Sequence, residues 1–184
     1  MSIYNQLAPT PPMGWNSWDC YGLTVREDEV KANADYMAEH LAEYGWRYIV
    51  VDIQWYEPNA KAGGYRLNAE FTMDEYDRLM PALNRFPAAA NGAAVRPLAD
   101  YGHSKGLKFG IHILRGIPRQ AVRLNLPVLN TDLQAATVAN VDSTCWWVDD
   151  MYGVDVTKPG AQAYDDSIVA LYTSWGSTSS RPMI

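Results

Sequence analysis

The chain has 184 residues and a net charge of −6, with 48% hydrophobic and 20% charged residues. This composition is that of a globular domain and excludes a disordered or low-complexity chain. The pI is near 5.0 and no run of Lys and Arg stands out, so nucleic-acid binding is not expected. No apolar stretch approaches the roughly 18 residues that span a bilayer, so no membrane segment is expected either.

The sequence also indicates where the protein is located and which kind of ligand it could bind. Residues 1–12 lack the basic start and apolar core of a signal peptide, and Cys20 and Cys145 are too few for a disulfide scaffold. We therefore expect a cytoplasmic protein. The 7 Trp and 12 Tyr residues fit either a large aromatic core or a site for a sugar or other flat ligand, because both side chains combine an apolar face with a polar tip.

Short apolar runs alternate with amphipathic helical patterns, which predicts α/β units around a parallel sheet. The first strand is predicted at residues 13–18. The next helix is expected to begin with a capping box between Thr24 and Glu27 and to end at Gly45. Its predicted apolar face consists of Val30, Ala34, Met37, Leu41 and Tyr44. The second strand is predicted at residues 47–53, where the apolar run is typical of a strand buried on both faces.

The rest of the chain continues this alternation. A short helix is predicted at residues 97–105 and a third strand at residues 107–113. Residues 114–154 are predicted to form one long connection, a length that is more often functional than idle. The last helix is predicted from about residue 159, with Thr157 as its cap. Its apolar side would consist of Tyr164, Ile168, Leu171 and Trp175.

Three strand–helix units with polar residues at the carboxyl ends of their strands predict an α/β fold, namely an incomplete (β/α)8 TIM barrel. A complete barrel typically needs about 250 residues, so this chain stops short of half of one. We assign residues 1–176 to the N-terminal part of such a barrel and the polar residues 177–184 to an aberrant tail. The third strand should then be an open sheet edge. A doubly wound sheet stays possible, although no Gly-rich phosphate fingerprint follows the first strand.

In an α/β barrel the ligand contacts residues where the strands end. Those positions hold Trp18 and Asp19, the segment 52–55, and His112. A carboxylate that closes an apolar run is costly unless it has partners or faces a cleft, so Asp52 is either a ligand-binding residue or an anchor for a loop. The pattern alone favours core positions for Trp18 and Trp55 and a structural role for His112.

Other candidate chemistry has less support. Asp149 and Asp150 lie in the long connection, where they either bind substrate or belong to a loop surface. The three histidines are far apart in sequence, and none pairs with a cysteine at zinc-finger spacing. A Gly-x-Ser-x-Gly elbow for a nucleophilic serine does not occur. We therefore expect no metal and no cofactor.

Three segments carry a family resemblance: TPPMGWNSW at residues 10–18, YIVVDIQW at residues 48–55 and GLKFGIH at residues 106–112. In order and spacing they resemble glycoside hydrolase family 27, the α-galactosidase or melibiase family. The resemblance implies a (β/α)8 barrel that removes terminal sugars with retention, using a nucleophilic and an acid/base aspartate about 5–5.5 Å apart. It also implies a small carbohydrate substrate, and intact relatives that can be homo-oligomeric.

The resemblance gives roles to four residues. Trp18 would stack on the sugar, Asp52 would accept hydrogen bonds from ring hydroxyls, and His112 would line the pocket where relatives often have Tyr. Galactose-binding relatives usually carry a second Asp, which helps to hold the C6 hydroxymethyl group, where this chain has Ile53. An unpaired polar group in a closed site costs about 1–3 kcal/mol, so Ile53 would suit β-L-arabinopyranose, which lacks that group. Terminal α-D-galactosides and β-L-arabinopyranosides both remain candidate substrates.

The larger departure from the family concerns the catalytic pair. The family's nucleophile follows the fourth strand in a Lys-x-Asp motif and the acid/base comes later, so both would lie beyond Gly176 and this chain would be inactive. Codons can be chosen for residues 177–184 such that one base added before the codon of Ser177 shifts the reading frame. The shifted frame then encodes Val-Asp-Phe-Ile-Lys-Ala-Asp-Asp. That reading restores a strand and the motif together, so we expect a frameshift after Gly176. The alternatives are an unrelated tail and a non-catalytic sugar-binding or structural fragment.

Overall fold

The computed structural model describes residues 11–177 and the backbone of residues 179–183. Residues 1–10, 178 and 184, on which the signal-peptide prediction and part of the tail prediction fall, lie outside the described residues. The main sheet has four parallel strands, each hydrogen-bonded to the strand that precedes it along the sheet. These strands are Met13–Asn16 (β1), Trp46–Val51 (β2), Lys108–Leu114 (β3) and Ser179–Met183 (β7).

Helices connect these parallel strands. The chain between β1 and β2 forms Trp18–Tyr21 (α1) and Glu27–His40 (α2), and the chain between β2 and β3 forms Arg96–Ser104 (α3). Ala161–Ser174 (α6) precedes β7. Strands that lie side by side in chain order, with helices in between, form part of a (β/α)8 barrel rather than a doubly wound sheet, in which the strand order reverses. The prediction of an incomplete barrel is confirmed.

The prediction that β3 is an open edge is wrong. The backbone of β7 pairs in parallel with β3, from Gly110 opposite Ser179 to Leu114 opposite Met183. Pairing of this kind uses backbone N–H and C=O groups, which every residue other than proline supplies in full, so a polar sequence does not prevent it. The assignment of residues 177–184 to an aberrant tail stays a prediction.

The start of α2 differs from the predicted capping box. Residues 22–24 form a 3-10 turn, and the Thr24 hydroxyl donates to the backbone oxygen of Tyr21 at 2.9 Å. The helix begins at Glu27, where the Glu29 carboxylate accepts a hydrogen bond from the Arg26 backbone N–H at 2.7 Å. A capping arrangement therefore exists, but it lies two residues further along the chain than predicted.

The predicted apolar face of α2 is only partly confirmed. Val30, Ala34 and Met37 are buried, whereas Tyr44 is exposed. The helix ends at His40 and a 3-10 turn follows, so the helical period no longer applies to Tyr44. These buried residues join β2 and β3 in the main core, which also includes Ile49, Val51, Phe109 and Ile111.

The predicted cap of the last helix is also wrong. The α6 helix begins at Ala161, after Gly160 with a φ of 87°. Thr157 instead donates from its N–H and its hydroxyl to the Asp155 carboxylate, at 3.0 and 2.7 Å. Tyr164 and Trp175 are buried as predicted.

Residues 114–154 are not the single loop that was predicted. They contain three short strands and two short helices: Ile117–Pro118 (β4), Arg119–Leu124 (α4), Ala135–Val138 (α5), Ala139–Thr144 (β5) and Met151–Val154 (β6). The three strands form an antiparallel sheet in the order β4-β6-β5. The strands are short and β5 consists mostly of polar residues, so the alternation that identifies a strand is absent. Among the described residues, no helix is long and apolar enough to cross a membrane.

Candidate functional site

A close approach between β1 and β2 builds the edge on which the candidate site lies. A side chain at Gly14 would begin 2.1 Å from the backbone oxygen of Tyr48, so only glycine allows the two strands to lie this close. Just beyond the strands, the Ser17 backbone N–H donates to the oxygen of Val50 at 3.0 Å, and the Ser17 hydroxyl accepts from the Asp52 N–H at 2.9 Å. These contacts fix the end of β1 against the end of β2.

Three donors surround the Asp52 carboxylate. Its Oδ1 accepts from the Ile53 backbone N–H at 2.7 Å, and its Oδ2 accepts from the Asn16 side-chain amide at 2.6 Å. The His112 imidazole Nδ1 lies 2.9 Å from the same Oδ2, which makes Nδ1 the protonated nitrogen of that ring. Side chains from the ends of β1, β2 and β3 thus converge on one carboxylate.

These contacts determine the charge of Asp52. Asp52 is only 5% exposed, and burial alone would raise the pKa of its carboxyl group. The hydrogen bonds from His112, the Ile53 N–H and Asn16 outweigh burial and hold the pKa of Asp52 below its ordinary value. The carboxylate is therefore ionised at neutral pH and keeps accepting hydrogen bonds.

A cleft of about 470 Å³ opens beside this carboxylate. The residues that line it are Asn16, Trp18, Asp19, Asp52, Ile53, Tyr65 and Trp147. The rings of Trp18 and Tyr65 are stacked, with centroids 6.1 Å apart and planes 22° apart. Tyr65 and Trp147 lie 5.3 Å apart, so three aromatic rings stand next to one another along the cleft.

The structure brings most of the predicted site residues together. Trp18 is 37% exposed at the cleft, and Ile53 lies at its floor with only 1% of its surface exposed. His112 is placed differently, because it contacts Asp52 and Asn16 rather than forming part of the cleft wall. Trp55 is a buried core residue whose indole N–H donates to the backbone oxygen of His112 at 2.9 Å.

Sequence reasoning missed Tyr65 and Trp147 as cleft residues. Both lie in irregular segments, in which spacing does not indicate which way a side chain points. The signals available were the flexible Gly63-Gly64 pair before Tyr65 and the adjacent tryptophans at 146 and 147. Of the two loop aspartates, Asp149 accepts a hydrogen bond from the Asn68 N–H at 3.0 Å, whereas Asp150 is buried rather than on a loop surface.

The side chains that line the cleft are suited to bind a ring that carries several hydroxyl groups. An ionised carboxylate accepts hydrogen bonds from hydroxyl groups, and aromatic faces pack against the C–H surface of a ring. Among the side chains that the structure describes, no three from His, Cys, Asp or Glu lie close enough together to hold a metal ion.

Comparison with known proteins gives a consistent result. The family model described as α-galactosidase A matches residues 10–176. A crystal structure of a family 27 β-L-arabinopyranosidase from Geobacillus stearothermophilus, in complex with arabinose, is 60% identical, with a TM-score of 0.93 over 95% of this chain and 41% of that chain. The α-galactosidase of Cyamopsis tetragonoloba is 34% identical over 79% of this chain and 30% of its own length.

A third relative is named for a different sugar. The α-N-acetylgalactosaminidase of Gallus gallus is 35% identical over 60% of this chain and 25% of its own length. All three of these relatives are glycosidases, and the chain spans well under half of each.

Proposed function

Because the chain belongs to the α-galactosidase A family of glycoside hydrolases, we propose that it forms the sugar-binding part of a retaining glycosidase. The substrate of the intact enzyme would be a small carbohydrate with a terminal α-D-galactosyl or β-L-arabinopyranosyl group. Asp52 would accept hydrogen bonds from ring hydroxyls, and Trp18 would pack against the face of the ring.

The nearly buried, hydrogen-bonded carboxylate of Asp52 is the observation that carries this proposal. A nearly buried carboxylate costs free energy unless it is hydrogen-bonded, and three donors from three strand ends stabilise this one beside an aromatic cleft. A mere loop anchor would not require an adjoining cleft lined by Trp18, Tyr65 and Trp147. Sugar binding accounts for the carboxylate and for the aromatic rings together.

Ile53 favours the arabinopyranoside as substrate. It lies at the cleft floor, directly after Asp52, and offers no acceptor for a C6 hydroxyl. L-Arabinopyranose lacks the C6 group and otherwise has the configuration of D-galactose. The 60% identity to a β-L-arabinopyranosidase supports the same choice.

We expect no turnover by this chain alone. The family resemblance places the nucleophile and the acid/base beyond Gly176, and a retaining mechanism needs both carboxylates. A non-catalytic sugar-binding or structural fragment is therefore the alternative for the 184-residue chain. A cytoplasmic location and homo-oligomeric intact relatives stay predictions.

Calorimetric titration with L-arabinose, D-galactose and D-glucose tests the proposal. We expect the chain to bind L-arabinose most tightly of the three. The Asp52→Asn variant should bind it roughly tenfold to a hundredfold more weakly, because hydrogen bonds to a charged group contribute about 1.5–3 kcal/mol. Asp142→Asn, an exposed substitution in β5, serves as the matched control and should leave the affinity unchanged.

Two results would overturn the proposal. One is equal affinity of the wild-type chain and the Asp52→Asn variant for L-arabinose. The other is the absence of binding of any of the three sugars by a folded chain, which would leave only the structural alternative. Turnover of a nitrophenyl β-L-arabinopyranoside by the wild-type chain would overturn the expected absence of catalytic residues.

A further inference from the structure

The turn that carries the candidate sugar contacts is held in an unfavourable conformation. Gln54 directly follows Ile53 and has a φ of 70°, in the left-handed region that residues other than glycine avoid. Its side chain is almost completely buried. Since the Ile53 N–H donates to the Asp52 carboxylate, any relaxation of Gln54 would also move a donor of the proposed site. Contacts from elsewhere must therefore hold Gln54 in place.

Two contacts provide this support. The guanidinium of Arg85 donates to the backbone oxygen of Gln54 at 2.7 Å, and to those of Glu57 and Val25 at 3.0 and 2.7 Å. The side-chain amide of Gln54 donates to the carboxylate of Asp150. Arg85 thus holds the backbone of the turn, and Asp150 holds its side chain.

Asp150 is itself fixed by several contacts. It precedes β6, and its backbone oxygen accepts from the Arg119 N–H at 2.9 Å. The Oδ2 atom accepts from the Tyr56 hydroxyl at 3.1 Å as well as from Gln54, whereas the buried Oδ1 atom has no hydrogen-bond partner among the described residues. The antiparallel sheet therefore places a buried carboxylate, half of it unpaired, behind the turn.

The charges around Asp150 do not neutralise it. Within the described part of the chain, no Lys, Arg or His forms an ion pair with it; Arg66 pairs instead with Glu57, at 3.0 Å. The titratable groups that act on Asp150, or on which it acts, are Tyr56, Glu57, Tyr65 and Asp149. None of them supplies a positive charge.

We propose that Asp150 is a positioning residue that holds the turn of Asp52, Ile53 and Gln54 through the Gln54 amide and makes sugar affinity depend on its own ionisation. The proposal rests on the proposed function, since it concerns the same cleft. Ionised Asp150 is the stronger acceptor for the Gln54 amide, because a charge-assisted hydrogen bond is about twice as strong as a neutral one. Protonated Asp150 holds Gln54 more weakly and lets the turn relax.

The neutral pH range is where this change should occur. The pKa of Asp150 is raised to about 7, above all by burial and also by the charges of Asp149 and Glu57, although the hydrogen bonds from Tyr56 and Gln54 oppose the rise. The pKa of Asp52 lies below its ordinary value, so Asp52 stays ionised over the same range. Affinity should therefore increase with pH around neutrality without a change in the charge of Asp52.

Two measurements on the full chain test the proposal. The first is the pH titration of the Ile53 and Gln54 backbone amide signals by NMR without sugar. The second is the L-arabinose affinity at about pH 6 and about pH 8. For the wild-type chain we expect both amides to titrate with a midpoint near that of Asp150, and affinity to be roughly threefold to tenfold tighter at the higher pH.

Asp150→Asn, which keeps an acceptor oxygen but does not ionise, should abolish the amide titration and flatten the difference in affinity. Asp150→Ala should weaken binding at both pH values, and Asp142→Asn should behave as the wild type. The comparison isolates Asp150, because the Asp150→Asn substitution removes no other titratable group.

The outcomes separate this inference from the proposed function. If the Ile53 and Gln54 amides do not titrate, or titrate equally in Asp150→Asn, Asp150 does not position the turn, whether or not sugar binds. If they titrate as expected but the affinities of the wild type and Asp150→Asn vary equally with pH, the coupling to binding is wrong. If the wild-type chain binds no sugar while the amides titrate, the proposed function fails and the positioning contact stands.

Discussion

The carboxylate of Asp52 and the imidazole of His112 meet at 2.9 Å across the ends of two adjacent parallel strands. The strand register produces this contact, because it pairs Val51 of β2 with Ile111 of β3 and so brings the next residue of each strand side by side. Burial would raise the pKa of Asp52, and the bond from His112 is the largest single influence in the other direction. His112 is therefore placed to act on the cleft through Asp52.

We predict that His112→Phe raises the pKa of Asp52 and weakens L-arabinose binding roughly tenfold at neutral pH, because the carboxylate loses a charge-stabilising donor. When the solution is acidified, the His112→Phe variant should lose binding at a higher pH than the wild type does. Calorimetric titration between about pH 4 and pH 7 measures both effects. His103→Phe, at an exposed position in the last turn of α3, is the control. Superimposable pH profiles for the wild type and His112→Phe would contradict the assignment.

We predict that Ile53→Asp shifts the preference of the cleft from L-arabinose towards D-galactose, because the new carboxylate gives the C6 hydroxyl a partner. The ratio of the two dissociation constants should change roughly tenfold to a hundredfold, corresponding to about 1–3 kcal/mol. Ile53 is nearly buried, so this variant will also be less stable, and Ile53→Val is the matched control for altered packing. An unchanged ratio in a folded Ile53→Asp variant would show that the side chain does not face the sugar.

Asp77 combines three unfavourable features. It is fully buried, neither carboxylate oxygen has a partner among the described residues, and its φ is 69°. Burial, and then the charge of Asp74, raise the pKa of Asp77 to about 7. The folded chain therefore holds a proton that the unfolded chain releases near pH 4, so this group lowers stability as the pH rises from about 4 to about 7.

We predict that Asp77→Asn removes this pH dependence, since asparagine does not ionise and tolerates the left-handed backbone. At pH 8 the free energy of unfolding should exceed that of the wild type by about 1–3 kcal/mol, and the gain should shrink below about pH 5. Urea unfolding at the two pH values measures the difference. Asp142→Asn should show no such gain, and a gain for Asp77→Asn that is equal at both pH values would mean that ionisation of Asp77 is not its cause.

The tail sequence leads to a prediction about the DNA. We predict that one base is missing at the Gly176–Ser177 junction and that the restored frame continues into further strand–helix units. The shifted frame would place the sequence Phe-Ile-Lys-Ala-Asp on positions 179–183, whose backbone pairs with β3. Sequencing the gene from independent isolates tests this, and an in-frame stop soon after the Asp-Asp codons of the shifted frame would refute it.

Much of the central sheet was predictable from the sequence because the apolar runs of β2 and β3 have no competing interpretation. The polar residue at or near the end of each run, Asp52 or His112, then marks the same sheet edge. The antiparallel sheet of residues 117–154 was not predictable, because its short polar strands are held by long-range pairing rather than by their own periodicity.

The aromatic residues that line the cleft were likewise only partly predictable from the sequence. Trp18 begins α1, two residues after β1 ends, so it lies close to a sheet edge that the sequence indicates, and its place at the site was predicted. Tyr65 and Trp147 lie in irregular segments that meet only in the folded chain. The cap of α2 lies two residues later than predicted for a related reason. The Thr24 hydroxyl, in the 3-10 turn of residues 22–24, already donates to a backbone oxygen before the helix begins.

The most direct test of the central claim is a crystal structure of the 184-residue chain with L-arabinose. We predict that the sugar lies in the cleft, with at least one ring hydroxyl within about 2.5–3.0 Å of the Asp52 carboxylate and with Trp18 against one face of the ring. The Ile53 side chain should lie where a C6 group would project. A sugar bound away from Asp52, or a cleft that holds no sugar at saturating L-arabinose, would contradict the assignment of this site.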